Sequence, residues 1–248
     1  MPDNHDDRSE RARQRHDLLW TGRQRGSRGP RPGLDLADII RAGIGIADAE
    51  GLSALSMNRL ARELGSGVMT LYRYVPGKGE LVDLMADAVV AQTVYPPAAE
   101  FEDWRSRLAF TARQEWTRYR DHPWLLGVMA STKLPMGPGT TAEVDWSLSS
   151  VNDLPLSASH KLWMVMTVSA FVQGAAMVAI SDEADDDVAA GLDGIGPAGH
   201  EALTSIGADT LAQLTTELTG PPDLDAWFEF GLERTLDGLA QFLGRDHP

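Results

Sequence analysis

Apolar residues recur at helical spacing through most of this 248-residue chain. Between residues 35 and 51, apolar and small residues fall at three- and four-residue intervals, which is typical of an amphipathic α-helix. Asp35 is a suitable N-terminal cap for this helix, and Gly51 is a suitable end. Ser56 is placed to cap a second helix that continues to about residue 64. The pattern therefore predicts two helices at the start of the ordered chain.

The same spacing continues to the C-terminus, and no segment alternates apolar and polar residues as a half-buried β-strand would. Segments rich in proline and glycine separate the periodic stretches. We therefore predict an all-α fold. Further helices are predicted at about 78–94, 101–121, 124–131, 140–152, 156–181, 198–218 and 224–243.

Residues 65–80, GSGVMTLYRYVPGKGE, interrupt this pattern of long helices. Glycines at 65 and 67 make a sharp turn after the second helix, and a short helix at 68–74 follows. A helix, a tight turn and a second short helix form the helix-turn-helix pattern, whose second helix fits the DNA major groove. Such a turn also occurs in helical hairpins that serve only as scaffold, so the pattern leaves both interpretations open. The candidates for base contacts are Val68, Met69, Thr70 and Arg73.

Contacts to the DNA backbone are predicted from residues next to this helix. Tyr72 and Tyr74 carry hydroxyl groups that can donate to phosphates while their rings pack on the protein. Lys78 begins the next helix, where its ammonium group and the free N–H groups of the helix can hold a phosphate. Val68 and Met69 are apolar, so we expect them to sense thymine methyl groups or DNA shape.

Charge is distributed unevenly along the chain. The formal net charge is −14, yet residues 8–31 contain eight arginines and only two acidic residues. From residue 96 to the end there are nine basic and 23 acidic residues. The basic arm can enter a minor groove or follow phosphates, or it can simply be a solvated disordered segment. If the arm and the short helix contact DNA, the affinity should fall steeply with salt.

Composition argues against several classes of protein. The chain has no cysteine, which excludes disulfides, thiolate metal sites and cysteine nucleophiles. Its six histidines form no metal-binding pattern, so we predict no metal and no cofactor. The GIGPAG segment at 194–199 matches a nucleotide-binding pattern, but no strand precedes it. The charged N-terminus lacks the apolar core of a signal peptide, and we expect a cytoplasmic location and no enzyme activity.

The stretch LSMNRLARELGSGVMTLYRYVPGKGELVDLM resembles the DNA-binding half of tetracycline-repressor (TetR) family regulators. The resemblance covers about residues 35–94. The segments HPWL at 122–125 and FEFGLERTLDGL at 228–239 are similar to the C-terminal half of the same family. The matching positions are Gly51, Leu55-Ser56, Leu60-Ala61, Leu64-Gly65, Leu71-Tyr72, Tyr74-Val75, Lys78 and Leu81-Val82.

This resemblance implies an organisation and a set of DNA contacts. It implies an Arg-rich arm at 1–33, a three-helix DNA-binding domain at 34–94, and a larger ligand-binding and dimerisation domain at 95–248. Family members bind double-stranded operator DNA as two-fold dimers. The resemblance adds Asn58 to the base contacts and Ser56 to the phosphate contacts. The complete predicted DNA-binding set is Ser56, Asn58, Val68, Met69, Thr70, Tyr72, Arg73, Tyr74 and Lys78.

The C-terminal half contains two strongly apolar helices. Residues 162–181 include no charged side chain, which by length alone would admit a membrane span. We favour a buried helix instead and predict no membrane association. The helix at 224–243 carries one continuous apolar stripe. Helices near 157–181 and 224–243 are therefore predicted to form a homodimer interface of four helices.

The same half is rich in tryptophan and methionine, which suit an adaptable apolar cavity but equally fill an ordinary core. A hydrophobic small molecule bound there would shift the body away from the geometry that binds DNA. The sequence therefore predicts a ligand-responsive repressor; a helical ligand-binding protein or enzyme without DNA binding is the alternative. The predicted ligand-binding residues are Trp116, Tyr119, His122, Trp124, Met129, Trp163, Met166, Thr167, Phe171, Gln173 and Met177.

Overall fold

The structure, a computed structural model, describes residues 16–21, 34–131, 134–184 and 223–244, with six single positions between 204 and 213. Every regular element within these ranges is helical, as predicted. Most of the Arg-rich arm and almost all of the predicted helix at 198–218 lie outside the described residues.

The described helices follow the predicted order, with ends that differ by a few residues. Residues 16–21 are helical, and Ala98–Glu100 form a 3₁₀ turn. The longer elements are α1 (Leu36–Glu50), α2 (Met57–Glu63), α3 (Val68–Leu71), α4 (Lys78–Val90), α5 (Trp104–Asp121), α6 (Pro123–Met129), α7 (Pro138–Ser150), α8 (Ala158–Ala184) and α9 (Leu224–Leu243).

The predicted caps of the first helices are confirmed. The Asp35 carboxylate accepts from the N–H of Ala37 at the start of α1, and Gly51 ends this helix with a φ of 78°. Ser56 Oγ accepts from the N–H of Arg59, 3.1 Å away, at the start of α2. Ile39 and Leu60 are completely buried. Local capping and an apolar face therefore fix α1 and α2 as the sequence indicates.

The chain divides into two compact units, residues 1–169 and 170–248, and the division falls within α8. In the second unit, the ring of Phe171 stacks on that of Phe228 with a centroid distance of 5.8 Å. A Cβ atom at Gly231 would lie 2.6 Å from the Phe171 ring. Phe228, Leu232 and Leu236 are buried, so the predicted stripe of α9 is the face that packs.

Helix α8 is only partly covered within the single chain. The sequence predicts a buried helix that contributes to a dimer interface, and in the single chain 33% of its most apolar window is buried. Such a helix passes a length and composition test for a membrane span, as core helices of soluble proteins also do. Its large exposed residues are Leu162, Trp163, Met166, Met177 and Val178. Among the described residues, α8 thus carries an exposed apolar face.

Candidate DNA-binding and effector-binding sites

The short helix α3 is held by two buried anchors. Leu71 and Val75 are completely buried, which fixes one side of the helix and the turn after it. Gly65 has a φ of 58°, in the left-handed region that favours glycine, and this allows the sharp turn between α2 and α3. The helix itself ends at Leu71, and turns continue through Tyr74, where the sequence predicts helix throughout.

The anchors leave the predicted DNA-reading side chains on the outside. Met69 is 73% exposed and Tyr72 is 41% exposed. Arg73 and Asn58 are also exposed. The remaining candidates on this segment, Val68, Thr70 and Tyr74, are partly exposed. The structure therefore leaves Val68, Met69, Thr70 and Arg73 at least partly exposed on α3 and the turn after it, while Asn58 lies on α2.

Lys78 lies at the first turn of α4 and is exposed. Its Nζ donates to the carbonyl oxygen of Leu52 at 2.8 Å. An ammonium group has three N–H donors, so this bond leaves capacity for a phosphate oxygen. The N-cap of α4 is Gly77, which has no side chain to occupy the N-terminal N–H groups. The position therefore remains suited to an anion.

Arg59 shows a role that the sequence pattern misses. Its guanidinium contacts Glu50 at 2.6 Å and Glu63 at 2.7 Å. Its hydrogen bonds to these two carboxylates raise the pKa of Arg59 above its ordinary value. Arg59 therefore links α1 to α2.

The predicted effector residues fall into different environments. Trp116, Tyr119 and Trp124 are buried. Trp163 and Met166 are more than half exposed, as is Met177. Thr167 is exposed, whereas Met129, Phe171 and Gln173 are half-buried. The predicted set therefore combines buried, half-buried and exposed side chains.

His122 and Trp124 share one partner on α1. The indole Nε1 of Trp124 donates to Asp48 Oδ1 at 2.7 Å, and His122 Nδ1 lies 2.8 Å from the same oxygen. Asp48 is 76 positions from Trp124 along the chain, so no local pattern indicates the contact. Two residues predicted to bind a ligand thus hold the first helix of the predicted DNA-binding domain.

A buried polar network lies among α5, α7 and α8, and the sequence-based predictions above do not include it. Arg118 donates to both carboxylate oxygens of Glu143, at 2.6 and 2.9 Å. Tyr95 donates to Glu143 at 3.2 Å, and Ser169 donates to Glu115 at 2.8 Å. One sequence signal could have revealed this network, namely the charged residues at 115 and 118 within the apolar face of α5.

Burial changes the acid–base properties of this network. Burial, together with the nearby charge of Glu143, raises the pKa of Glu115 to about 8. Burial by itself lowers the pKa of Arg118, but the charge and hydrogen bonds of Glu143 outweigh it and raise the value. Burial and the charge of Glu143 also raise the pKa of Tyr95. Perturbed groups of this kind concentrate at binding sites as well as in structural ion pairs.

Aromatic side chains surround one side of the network. Tyr95 packs against Trp146 with a centroid distance of 5.2 Å and against Phe110 at 6.3 Å. Phe101 contacts both Phe110 and Trp146. The buried Nε1 of Trp146 has no hydrogen-bond partner among the described residues. This aromatic cluster combines apolar rings with an indole N–H group that can donate to a further acceptor.

A cavity of about 150 Å³ lies between the end of α4 and the C-terminal half of α5. Its lining includes one predicted effector residue, His122. The other lining residues are Val89, Gln92, Thr93, Gln114, Thr117, Arg118 and Asp121. The cavity is therefore small and mainly polar.

Comparison with known proteins identifies the family. Residues 96–243 match the family described as "Tetracyclin repressor-like, C-terminal domain". This chain belongs to the tetracycline repressor (TetR) family. The HTH-type transcriptional repressor DrrR1 of Streptomyces coeruleorubidus is 38% identical over 242 residues, which are 94% of this chain and 88% of that repressor. The predicted resemblance is thus confirmed.

Other relatives of this TetR-family protein agree. The repressor Rv1353c of Mycobacterium tuberculosis is 28% identical, and the match covers 89% of this chain and 84% of Rv1353c. ActR of Streptomyces coelicolor, solved in complex with actinorhodin, has a TM-score of 0.71 and 28% identity, covering 86% of this chain and all of ActR. This chain is a ligand-responsive, DNA-binding transcriptional repressor.

Proposed function

We propose that this repressor reads operator DNA through α3 and its flanking residues. Val68, Met69, Thr70 and Arg73 contact base edges together with Asn58 of α2. The phosphate contacts come from Ser56, Tyr72, Tyr74 and Lys78. The observation that carries this assignment is the contrast between buried and exposed residues on this segment. Leu71 and Val75 are fully buried, whereas Met69, which follows the turn before α3, is 73% exposed. A short helix that is anchored on one side and exposed on the other fits a major groove.

We further propose that the repressor works as a homodimer in the cytoplasm and acts by binding, without catalysis. The apolar face of α8 is supported as the dimer surface because Trp163 and Met166 are more than half exposed in the part of the chain that the structure describes. In α9, Trp227 and Phe230 are likewise exposed, at 42% and 63%. Aromatic residues and methionine are enriched in the cores of such interfaces. A two-fold dimer then presents two reading helices to half-sites about 34–36 Å apart.

The effector in this proposal is a mainly hydrophobic, aromatic small molecule that lowers operator affinity. The aromatic cluster of Tyr95, Phe101, Phe110 and Trp146 supplies an apolar wall. The indole N–H of Trp146 offers a hydrogen bond to an acceptor on the ligand. The related ActR was solved with actinorhodin, which supports an aromatic effector for this repressor too.

The DNA-binding assignment is tested by fluorescence anisotropy with the DNA upstream of this repressor's own gene and a scrambled duplex. Arg73→Ala, Tyr72→Ala and Lys78→Ala should each weaken operator binding, by about tenfold for a lost specific contact of roughly 1–3 kcal/mol. Arg73→Ala should in addition reduce the salt slope by about one if Arg73 contacts a phosphate, or relax the sequence preference if it contacts a base.

Arg113→Ala is the matched control for this experiment. Arg113 is exposed in α5, so its removal changes the net charge as Arg73→Ala does but at a site remote in sequence from α3. Operator affinity should stay unchanged. Equal losses for both arginines would show that general charge, and not the reading helix, sets the affinity. If the upstream DNA binds no better than the scrambled duplex, selection from random DNA supplies the operator.

Effector response is measured in the same assay. Actinorhodin, the ligand of the solved ActR complex, is the first compound to add to the repressor–operator complex. Release of labelled DNA, with a change in tryptophan fluorescence of the free protein, is the expected result. Trp146→Phe should weaken the response while preserving an aromatic ring and removing the indole donor. An unaltered response of Trp146→Phe would place the effector elsewhere in the body.

A further inference from the structure

Two carboxylates of the reading head, defined as residues 34–94, reach the body helices that follow. Asp48 of α1 accepts from Trp124 Nε1 and contacts His122 Nδ1, at 2.7 and 2.8 Å. Asp87 of α4 accepts from the backbone N–H groups of Thr140 at 2.8 Å and Gly139 at 3.2 Å. The reading head is therefore attached to α5–α7 through two separate acidic contacts within one compact unit.

The Asp87 contact is closely packed. Asp87 is 8% exposed, and its carboxylate binds the first free N–H groups of α7, where the helix dipole also favours a negative charge. A Cβ atom at Gly137 would lie 2.4–2.6 Å from the Asp87 carboxylate. A Cβ at Gly139 would lie 2.4 Å from the Asp87 carbonyl oxygen. The backbones of α4 and α7 thus meet with no side chain between them.

The Asp48 contact is much more open. The side chain of Asp48 is 31% exposed and that of His122 is 18% exposed. A single carboxylate oxygen, Oδ1, receives both partners, and water can reach the carboxylate. A contact that water can reach contributes less stability than a buried one and can break and reform. The two acidic contacts therefore differ in strength.

The open contact lies at a junction of helices. His122 is the residue that both ends α5 and precedes α6. It also lines the 150 Å³ cavity beside the end of α4, with Gln92 and Thr93 of the reading head. A small displacement of this corner would move the imidazole and the indole that hold Asp48. The Asp87 contact, on α7, would keep its place.

We propose that Asp87 is the pivot of the reading head and that Asp48 is its releasable latch. With the latch closed on His122 and Trp124, the head is held in one orientation, the one that fits the operator. When the latch opens, the head turns about the Asp87–α7 contact and operator affinity falls. Asp48, His122 and Trp124 are positioning residues that touch no DNA. The consequence for DNA rests on the proposed function, but the change in head orientation does not.

The chain contains no cysteine, so introduced cysteines can carry spin labels at chosen positions. The labels report the orientation of the head without DNA. Arg62→Cys in α2 and Glu102→Cys before α5 place two spin labels at exposed positions of the head and the body. Diluting labelled protein with unlabelled protein restricts the measured distances to one chain. The background protein should give a narrow distance distribution, and adding Asp48→Ala should broaden it. Operator affinity should fall about tenfold, because a head that is free to turn is only partly in the binding orientation.

Asp38→Ala is the matched control. Asp38 lies on the same helix and pairs at the surface with Arg41, so its loss should leave the distance distribution and the operator affinity unchanged. Trp124→Phe retains an aromatic ring, removes one donor to Asp48, and should broaden the distribution less than Asp48→Ala. If Asp48→Ala fails to fold, Trp124→Phe still tests the latch. A lower melting temperature without broadening in either variant would overturn the latch.

The two proposals fail in different ways. A background protein that does not bind operator DNA, while Asp48→Ala still broadens the distance distribution, contradicts the DNA assignment and leaves the latch standing. Specific operator binding by the background protein, with an unaltered distribution and affinity for Asp48→Ala, contradicts the latch alone.

Discussion

Glu115 is a carboxylic acid buried beside a second carboxylate, Glu143. Its hydroxyl partner is Ser169, while the guanidinium of Arg118 is bound to both oxygens of Glu143. An ionised Glu115 would therefore add a buried charge without a dedicated cation, which is costly in a protein interior. This explains why the raised pKa of Glu115, about 8, keeps the group protonated at neutral pH.

The stability of the protein should depend on this proton. The pKa of Glu115 rises from 4.5 to about 8 on folding, so the folded chain binds a proton that the unfolded chain releases. The stabilisation is complete below about pH 4.5 and is lost as the pH rises through about 8. Glu115→Gln, which is always neutral, should remove this loss. Relative to the variant, the wild type should lose up to about 1.4 kcal/mol per pH unit between about pH 5 and 8.

Urea unfolding at several pH values measures the difference between the two proteins. Glu102→Gln, at an exposed position before α5, is the control and should follow the wild-type profile. Parallel profiles for wild type and Glu115→Gln would mean that Glu115 is ionised in the folded protein.

Asp35 and Ser56 were predictable because capping is local. Glu115 was not, because its partners lie on other helices.

At the scale of elements, the end of α4 and the start of α7 approach more closely than side chains allow. Gly139 makes this possible, since a Cβ there would lie 2.4 Å from the Asp87 carbonyl oxygen and 2.8 Å from Ala91. The sequence marks residues 133–139 only as a break between helices. The tight packing requires the three-dimensional placement of α4, which is encoded some 50 residues earlier.

Gly139→Ala should therefore destabilise the protein by about 1–3 kcal/mol, the usual cost of overpacking a close contact. Gly45→Ala is the matched control, because Gly45 lies within α1 and a Cβ atom added there would meet no packed neighbour within 4 Å. That change should stabilise the helix by up to about 1 kcal/mol, since alanine has the higher helix propensity. Thermal and urea unfolding compare the two. Similar effects of both substitutions would show that the α4–α7 contact can open without cost.

At the scale of the whole molecule, the proposed dimer depends on an apolar surface that the described residues leave exposed. Met166 is 57% exposed on α8 and Met69 is 73% exposed on α3. We assign the first to a subunit interface and the second to DNA. Replacement by glutamate should therefore change a different property at each site, the assembly at Met166 and DNA binding at Met69.

Met166→Glu should shift the protein from dimer to monomer, because the new carboxylates would be buried in an apolar interface. Met69→Glu should leave the dimer intact and weaken operator binding at least about tenfold, because it places a negative charge against phosphates. Light scattering after size exclusion and fluorescence anisotropy measure the two effects. A dimer that survives Met166→Glu would move the interface away from this part of α8.

The sequence by itself determined what depends on neighbours along the chain. Helical periodicity set the all-α fold, caps and breakers set the helix ends to within a few residues, and the glycines at 65 and 67 set the turn before α3. Only the tertiary structure decided which distant groups meet. Asp48 and Trp124, 76 positions apart, and Asp87 and Thr140, 53 positions apart, bind through contacts that no local pattern encodes. Likewise, the apolar composition of α8 could not say which of its faces the chain itself covers, because burial depends on where the other helices pack.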